Sequence, residues 1–89
     1  MITPEVGMGA TKLWYSDRTP FTVIEVKSQK KIVAQMDKVK RNGEIEKDEN
    51  GSIYELSLRK NNRWVEVGQR KEAEFYMLNT RYYYQDPHF

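Results

Sequence analysis

The stretch that decides the fold is SIYELSLRKNNRWVEVG, from Ser52 to Gly68. It contains two runs in which apolar and polar residues alternate, and such alternation is typical of β-strands. Asn61 and Asn62 separate the two runs. Asn adopts positive φ more readily than most residues, which suits a tight two-residue turn. The stretch therefore predicts a β-hairpin with the two asparagines at its tip.

This turn determines the predicted register of the hairpin. Arg59 is expected to face Trp64 on one side of the hairpin, where an exposed guanidinium–indole pair contributes about 0.5–1 kcal/mol. The other predicted cross-strand pairs are Lys60 with Arg63, Leu58 with Val65, Ser57 with Glu66 and Leu56 with Val67. The apolar members share the opposite face and are expected in a core: Leu56, Leu58, Val65 and Val67.

Two further strands are predicted before this hairpin. PFTVIEVK, Pro20 to Lys27, is rich in β-branched and aromatic residues, and KIVAQMD, Lys31 to Asp37, follows after a connection short enough for a hairpin. Alternation divides their side chains between two faces: Phe21, Val23 and Glu25 against Thr22, Ile24 and Val26, and Ile32, Ala34 and Met36 against Val33 and Gln35. Both strands carry apolar residues on each face, as in a small closed barrel.

The remaining segments are assigned from turn residues and composition. A first strand is expected near Ala10 to Ser16, followed by a turn at SDRTP, Ser16 to Pro20, because Pro20 cannot donate to a ladder. The polar region 38–51 is predicted to be a mobile excursion containing a short polar hairpin. After Gly68, the aromatic and β-branched weighting favours strands near Glu74 to Leu78 and Arg81 to Tyr84 over one or two helical turns.

Together these segments predict the fold class. Five or six short strands joined by tight turns within 89 residues indicate a single domain, residues 1–89. The expected architecture is mainly β, a small SH3/Tudor-like barrel of five to six short antiparallel strands.

Composition narrows the functional classes. The chain has no cysteine, which excludes disulfides and thiolate metal sites. Lys and Arg number 15 against 13 acidic residues, and a net charge of +2 is only mildly favourable for nucleic-acid binding. The start, MITPEVGMGATK, lacks a basic region followed by an apolar run, and no stretch approaches the ~20 apolar residues that span a bilayer. A soluble intracellular protein without membrane contact is expected.

Three segments carry a resemblance: EVGMGATKLWYSDRTPFTVIEV, LRKNNRWVEVG and YYYQDPHF. They resemble a family of small proteins from bacteriophages and prophages, and the resemblance covers both ends of the chain and the central hairpin. It implies a small phage accessory protein acting in the host cell cytoplasm, a class that includes host-takeover and counter-defence factors. No catalytic residue is carried over from it.

The residues do not predict an enzyme. His88 is the only histidine, and it lies beside Pro87 near the end of the chain, which is a poor place for a preorganised base. EIEKDENG, Glu44 to Gly51, does not match the spacing of a calcium loop. The GMG of EVGMGAT lacks the third glycine of a dinucleotide fingerprint. No catalytic residue, metal ligand or cofactor is therefore predicted.

A binding site is predicted where cations alternate with aromatic residues. The candidate ligand-binding residues form three groups: Trp14, Tyr15 and Arg18; Arg59, Arg63 and Trp64; and Arg81, Tyr82, Tyr83 and Tyr84. Aromatic rings stack on bases at ~1–3 kcal/mol each, and Arg binds phosphate. The alternative for each aromatic residue is packing in the core or between strands, or a subunit interface.

The chain ends in RYYYQDPHF, Arg81 to Phe89. As a strand, it directs Tyr82 and Tyr84 to one side and Tyr83 to the other, and Phe89 can fold back after Pro87. This tail is predicted to close the barrel or to cross to a partner subunit.

Three functions are compatible with these residues. The first is a phage counter-defence factor that sequesters a small phosphorylated, nucleotide-type immune signal, as a homo-oligomer that encloses the ligand. The second is a protein-binding inhibitor of a host defence enzyme. The third is a regulatory β-barrel that binds nucleic acid, which the modest charge makes less expected.

Overall fold

A computed structural model of the chain describes residues 3–14, 17–60, 63–68 and 74–79, and of Trp14 the backbone alone. The strands in this part of the chain are β1 (Gly9–Trp14), β2 (Asp17–Ser28), β3 (Lys31–Met36), β4 (Lys38–Val39), β5 (Ile45–Glu46), β6 (Ile53–Leu58), β7 (Trp64–Glu66) and β8 (Phe75–Leu78). The predicted Asn61–Asn62 turn, the strand near Arg81 to Tyr84 and the tail to Phe89 lie outside the described residues.

Six of these strands form a closed antiparallel barrel in the order β1-β2-β3-β6-β7-β8. Each barrel strand pairs with the next barrel strand along the chain, and β8 pairs back with β1 from Ala10↔Leu78 to Leu13↔Phe75. The predicted small, mainly β barrel of five to six antiparallel strands is confirmed. No helix in the described ranges could cross a membrane.

The core lies inside this barrel and follows the alternation of the strands. Its buried side chains are Ala10, Phe21, Val23, Ile32, Ala34, Leu56, Trp64, Tyr76 and Leu78. The face predicted for Ile32, Ala34 and Met36 is confirmed, since the first two are buried and Met36 packs against the core. On the outer face of the same strand, the amide nitrogen Nε2 of Gln35 donates to the carbonyl oxygens of Glu49 (3.0 Å) and Gly51 (3.2 Å).

The predicted turn at SDRTP is wrong, because β2 already begins at Asp17. Pro20 lies within the strand, opposite Thr11, and its carbonyl accepts a hydrogen bond from the amide of Asp37 at 2.9 Å. The ladder between β2 and β3 ends at the neighbouring pair, Phe21↔Met36. Proline has no amide hydrogen to donate. The strand tolerates Pro20 because its backbone accepts a hydrogen bond at this position, and because the ladder with β3 ends at the next residue.

The predicted alternation along β2 is wrong after Val23. The pairing with β3 shifts register between Val23 and Glu25, so the strand contains a bulge. A bulge adds one residue to one strand and reverses the facing of the residues that follow. As a result, Val26 packs against the core and Glu25 is exposed.

The central hairpin forms, but its predicted register is wrong by one residue. The observed pairs are Leu58↔Trp64, Ser57↔Val65 and Leu56↔Glu66, and the amide of Arg59 bonds the carbonyl of Arg63 at 2.9 Å. The pair nearest the tip among the described residues is therefore Arg59 with Arg63, instead of the predicted Lys60 with Arg63. A slip of one residue exchanges the two faces of a strand.

The slip places Trp64 in the core with 6% of its surface exposed, while Val67 is 50% exposed; Leu56 and Val65 are fully buried, as predicted. The predicted pairing of Trp64 with Arg59 is therefore wrong. An indole buries ~150–250 Å², which corresponds to about 4–6 kcal/mol at ~25 cal/mol per Å². An exposed cation–π pair contributes about 0.5–1 kcal/mol. The register that buries Trp64 is favoured for this reason.

The polar excursion contains a short hairpin, as predicted. Strands β4 and β5 pair through Lys38↔Glu46 and Val39↔Ile45 and form a separate two-stranded sheet. The ammonium group of Lys40 lies 2.7 Å from the carboxylate of Glu46 and 3.7 Å from that of Glu44. The hairpin is thus inserted between β3 and β6 without interrupting their ladder.

Candidate functional site

The outer surface of the barrel carries a row of side chains that runs across neighbouring strands. In β1, Leu13 lies opposite Arg18 of β2 on one side and opposite Phe75 of β8 on the other. Ala10 and Tyr76 are in the core, so alternation directs Leu13 and Phe75 outward. The antiparallel closure of β8 on β1 brings these three residues together.

Two more arginines extend this row. The guanidinium carbon of Arg63 lies 4.2 Å from the centre of the Phe75 ring, which is a close cation–π stack. The backbone bond between Arg59 and Arg63 places these residues opposite each other at the end of the β6–β7 hairpin. We refer to Arg18, Leu13, Phe75, Arg63 and Arg59 together as the arginine face.

The arginine face is accessible in part. Arg63 is exposed, and the other four members are half-buried. Met77 has 45% of its surface exposed and shares the outward direction of Phe75, two residues along β8. The face therefore presents cationic groups around an apolar centre.

The chemistry of this face is that of anion recognition. A guanidinium donates hydrogen bonds in its own plane, so stacking on Phe75 does not compete with in-plane binding of a carboxylate or phosphate by Arg63. Arg18 donates from Nη1 to the backbone carbonyl of Asp17 at 2.9 Å. This hydrogen bond holds the Arg18 side chain against the backbone of β2, and the side chain is half-buried there.

A second polar group of side chains lies on the inner face, which we call the Lys12 cluster: Lys12, Tyr54, Glu66, Glu74 and Tyr76. The ammonium nitrogen of Lys12 lies 2.9 Å from Oε2 of Glu66 and 3.8 Å from Oε2 of Glu74. The Tyr76 hydroxyl donates to the same Glu66 oxygen at 3.0 Å. Burial raises the pKa of the Tyr76 phenol well above its ordinary value, and the negative charge of Glu66 raises it further.

The structure brings together only some of the predicted binding residues. Arg59 and Arg63 lie opposite each other across the β6–β7 hairpin, whereas Arg18, from a different predicted group, lies on β2, three strand spacings from β7 around the barrel. Trp64 lies in the core with 6% of its surface exposed, which favours the alternative of core packing for this residue. For Trp14 the backbone alone is described, in β1 opposite Asp17. The predictions for Tyr15 and for Arg81, Tyr82, Tyr83 and Tyr84 fall outside the described residues.

Sequence reasoning missed Leu13, Phe75 and the whole Lys12 cluster. Phe75 had a usable signal, because it alternates with Tyr76 and one of two adjacent aromatics in a strand must face outward. The Lys12 cluster had no such signal. Its members come from β1, β6, β7 and β8, together with the residue before β8, and only barrel closure brings them together.

Comparison of the chain with protein-family models, with curated proteins and with solved structures finds no match. The fold and the site define a class instead. It is a closed, six-stranded antiparallel β-barrel with arginine and aromatic side chains on its outer face.

Proposed function

We propose that this protein is a non-enzymatic binding protein that takes a phosphorylated, nucleotide-type ligand on the arginine face. The observation that carries this proposal is the stack of Arg63 on Phe75 at 4.2 Å, beside Arg59. An arginine oriented by an aromatic ring loses less side-chain freedom when it binds a phosphate.

The opposed arginines are the first support. Arg59 and Arg63 lie directly across the hairpin, which brings two guanidinium groups to one place on the outer surface. A phosphate group held by both guanidiniums forms short, charge-assisted hydrogen bonds with each of them. The pair is thus better suited to a phosphorylated ligand than to a neutral one.

The apolar centre is the second support. Leu13 and Phe75 lie between Arg18 and Arg63, so an anion on either side adjoins an apolar surface. Nucleotides combine a phosphate with a flat aromatic base in this way. From β8 to β6 the row of Phe75, Arg63 and Arg59 crosses two strand spacings of ~4.8 Å each, which gives a span of roughly 10 Å. This span accommodates a ligand larger than one phosphate group.

The biological role follows from the resemblance to small phage proteins. In that context a binding protein without catalytic residues acts by sequestration, as a counter-defence factor that removes a phosphorylated immune signal in the host cytoplasm. A homo-oligomer encloses such a ligand better than one small barrel does. Native mass spectrometry of the purified protein, before and after addition of a cyclic dinucleotide, tests both the subunit number and the retained ligand.

Inhibition of a host defence enzyme through direct protein contact is a second candidate. Met77 is exposed beside Phe75, and Phe, Met and Arg are the residue types enriched in protein interfaces. An acidic surface on the partner would match the arginines.

Calorimetric titration separates these functions. The probes are a mononucleotide, a cyclic dinucleotide, the corresponding nucleoside, inorganic phosphate and a short single-stranded oligonucleotide. We expect nucleotide binding that Arg63→Gln weakens by about tenfold, the loss of one charge-assisted contact. Arg41→Gln is the matched control, because Arg41 is exposed in the β4–β5 turn, outside the arginine face.

Four results contradict nucleotide sequestration. Absence of binding at millimolar nucleotide removes it, and so does an equal loss in both arginine variants. Preference for the oligonucleotide with a steep salt dependence favours a nucleic-acid binder. Stoichiometric binding of a purified host enzyme that Met77→Ala weakens, without any nucleotide binding, favours the protein inhibitor.

A further inference from the structure

The Lys12 cluster lies where the barrel interior meets solvent. Lys12 follows Ala10 by two residues on β1, so its side chain enters the interior on the same face as that buried residue. The Lys12 side chain is 19% exposed, whereas that of Glu74 is 40% exposed. The mostly buried ammonium group thus approaches solvent beside Glu74, and we call this place in the barrel the opening.

The groups around the Lys12 nitrogen combine two kinds of attraction. The carboxylate of Glu66 forms a close ion pair, and Glu74 adds a second negative charge farther out. The nitrogen also lies 5.8 Å from the centre of the Tyr54 ring and 5.9 Å from that of the Tyr76 ring. Carboxylates together with aromatic rings within ~6 Å are the chemistry that proteins use to recognise organic cations.

Contacts that do not involve Lys12 hold the walls of this opening. The Tyr76 hydroxyl bonds Glu66, and Trp64 pairs with Tyr76 through the backbone. Phe21 contacts both tyrosines edge to face, with ring centres 5.9 Å from Tyr54 and 5.0 Å from Tyr76. A site whose walls are fixed independently of its occupant is preorganised for binding.

We propose that this opening is a recognition site for a primary ammonium group, occupied by the chain's own Lys12. When the Lys12 side chain is shortened, a free primary alkylammonium ion takes the site. The ligand class is a short alkyl chain that ends in an ammonium group, because the aliphatic stem passes the tyrosine rings and the charge meets Glu66. This site is separate from the arginine face and does not depend on the function proposed for it.

The test is chemical rescue of Lys12→Ala. This substitution removes three methylene groups and the ammonium group, which together have the size of n-propylammonium. The folding equilibrium is measured by denaturation, with n-propylammonium chloride or with 1-propanol at the same concentration and ionic strength. A ligand that binds only the folded state raises the folding equilibrium constant by the factor 1 + L/Kd, where L is the free ligand concentration.

We expect n-propylammonium at tens of millimolar to raise the folding constant of Lys12→Ala about threefold or more. The wild type and Lys31→Ala are expected to show no such effect. Lys31 is the matched control, since it is an exposed lysine whose ammonium lies 4.0 Å from the carboxylate of Glu55. Rescue is expected to disappear when Glu66→Gln is added, because the carboxylate supplies most of the attraction.

Equal rescue by 1-propanol overturns the inference, because it shows that the opening accepts any short chain. Equal stabilisation of the wild type and Lys31→Ala overturns it as well. If Lys12→Ala does not fold, Lys12→Met keeps the stem and removes the charge. The coupling between Lys12 and Glu66 is then measured by a double-mutant cycle of Lys12→Met and Glu66→Gln, with the folding constant as the readout. Coupling of about fivefold or more in the folding constant supports an ammonium site, and coupling near unity overturns it.

Discussion

The guanidinium of Arg63 lies over the ring of Phe75 at 4.2 Å and thereby joins the start of β7 to the start of β8 on the outside of the barrel. Within the described residues, β7 and β8 share the single backbone pair Trp64↔Tyr76. The side-chain stack therefore reinforces a short ladder and orients one arginine of the proposed binding face. Stability and binding are expected to depend on the same contact.

Phe75→Leu tests this contact. Leucine keeps most of the apolar volume and removes the aromatic face, so we expect a loss of about 0.5–1 kcal/mol in the free energy of unfolding. Nucleotide affinity should fall as well, because Arg63 becomes less ordered. Met77→Leu, on the same outer face, is the control and should change neither quantity. Denaturation curves measure the free energy of unfolding of both variants, and calorimetric titration measures their nucleotide affinity. Equal values for the two variants would contradict a role for the stack.

Trp64→Ala tests the observed register of the central hairpin. A buried indole leaves a large cavity, and we expect a loss of about 3–5 kcal/mol. Arg59→Gln, which removes the partner expected from the sequence, should cost less than about 1 kcal/mol because it touches no core packing. Urea denaturation measures both. Comparable losses in the two variants would support the Arg59–Trp64 pairing instead.

Gly51→Ala tests the connection that enters β6. A Cβ atom at Gly51 would overlap the carbonyl oxygen of Met36, which belongs to the backbone and cannot turn away. The amide of Met36 bonds the carbonyl of Ser52 at 2.8 Å, so any shift also breaks this bond. We expect a loss of about 2 kcal/mol or more. The exposed Ser52→Ala should be nearly neutral, and a thermal melt in which both variants match the wild type would exclude the overlap.

The raised pKa of Tyr76 predicts a pH dependence of stability. The ordinary phenol pKa is 10.0, and the folded protein keeps the proton above that value because of burial and Glu66. The folded state then binds more protons than the unfolded state above about pH 10, so stability should fall as pH rises from there. Below that pH the contribution is fully present.

Tyr76→Phe removes this titration. Its free energy of unfolding should decline less than that of the wild type between pH 9 and 11, measured by urea denaturation at each pH. Tyr54→Phe keeps one phenol in the same opening and is the comparison variant. Parallel pH profiles of Tyr76→Phe and the wild type would show that the hydroxyl is not protected from ionisation.

Local patterns predicted the strands well, because alternation and turn residues act over a few neighbours. The strands from Lys31 and near Glu74 to Leu78 appear as predicted, and the inner face of Ile32 and Ala34 is confirmed. The errors have longer-range causes. Burial of Trp64 favours a register one residue away from the predicted one, and the bulge after Val23 changes the facing of the residues that follow it.

The candidate site was less predictable than the fold. The three arginines of the face could be named from their aromatic neighbours in the sequence, but the ring that Arg63 contacts is not among those neighbours. Arg63 stacks on Phe75 instead of Trp64, because the pairing of β8 with β1 and β7 determines which rings reach the outer surface. The Lys12 cluster depends on the same closure.

The pairing of β8 with β1 also has a consequence for the synthesis of the protein on the ribosome. The ladder from Ala10↔Leu78 to Leu13↔Phe75 joins the first and last barrel strands, so β1 waits for its second neighbour until the chain has been translated as far as Leu78. Until then one edge of β1 offers unpaired amides and carbonyls to any other nascent strand. Contacts this distant in sequence also slow folding. The period before β8 is available is thus the stage at which this protein is most exposed to aggregation, and chaperone occupancy should end when β8 pairs with β1.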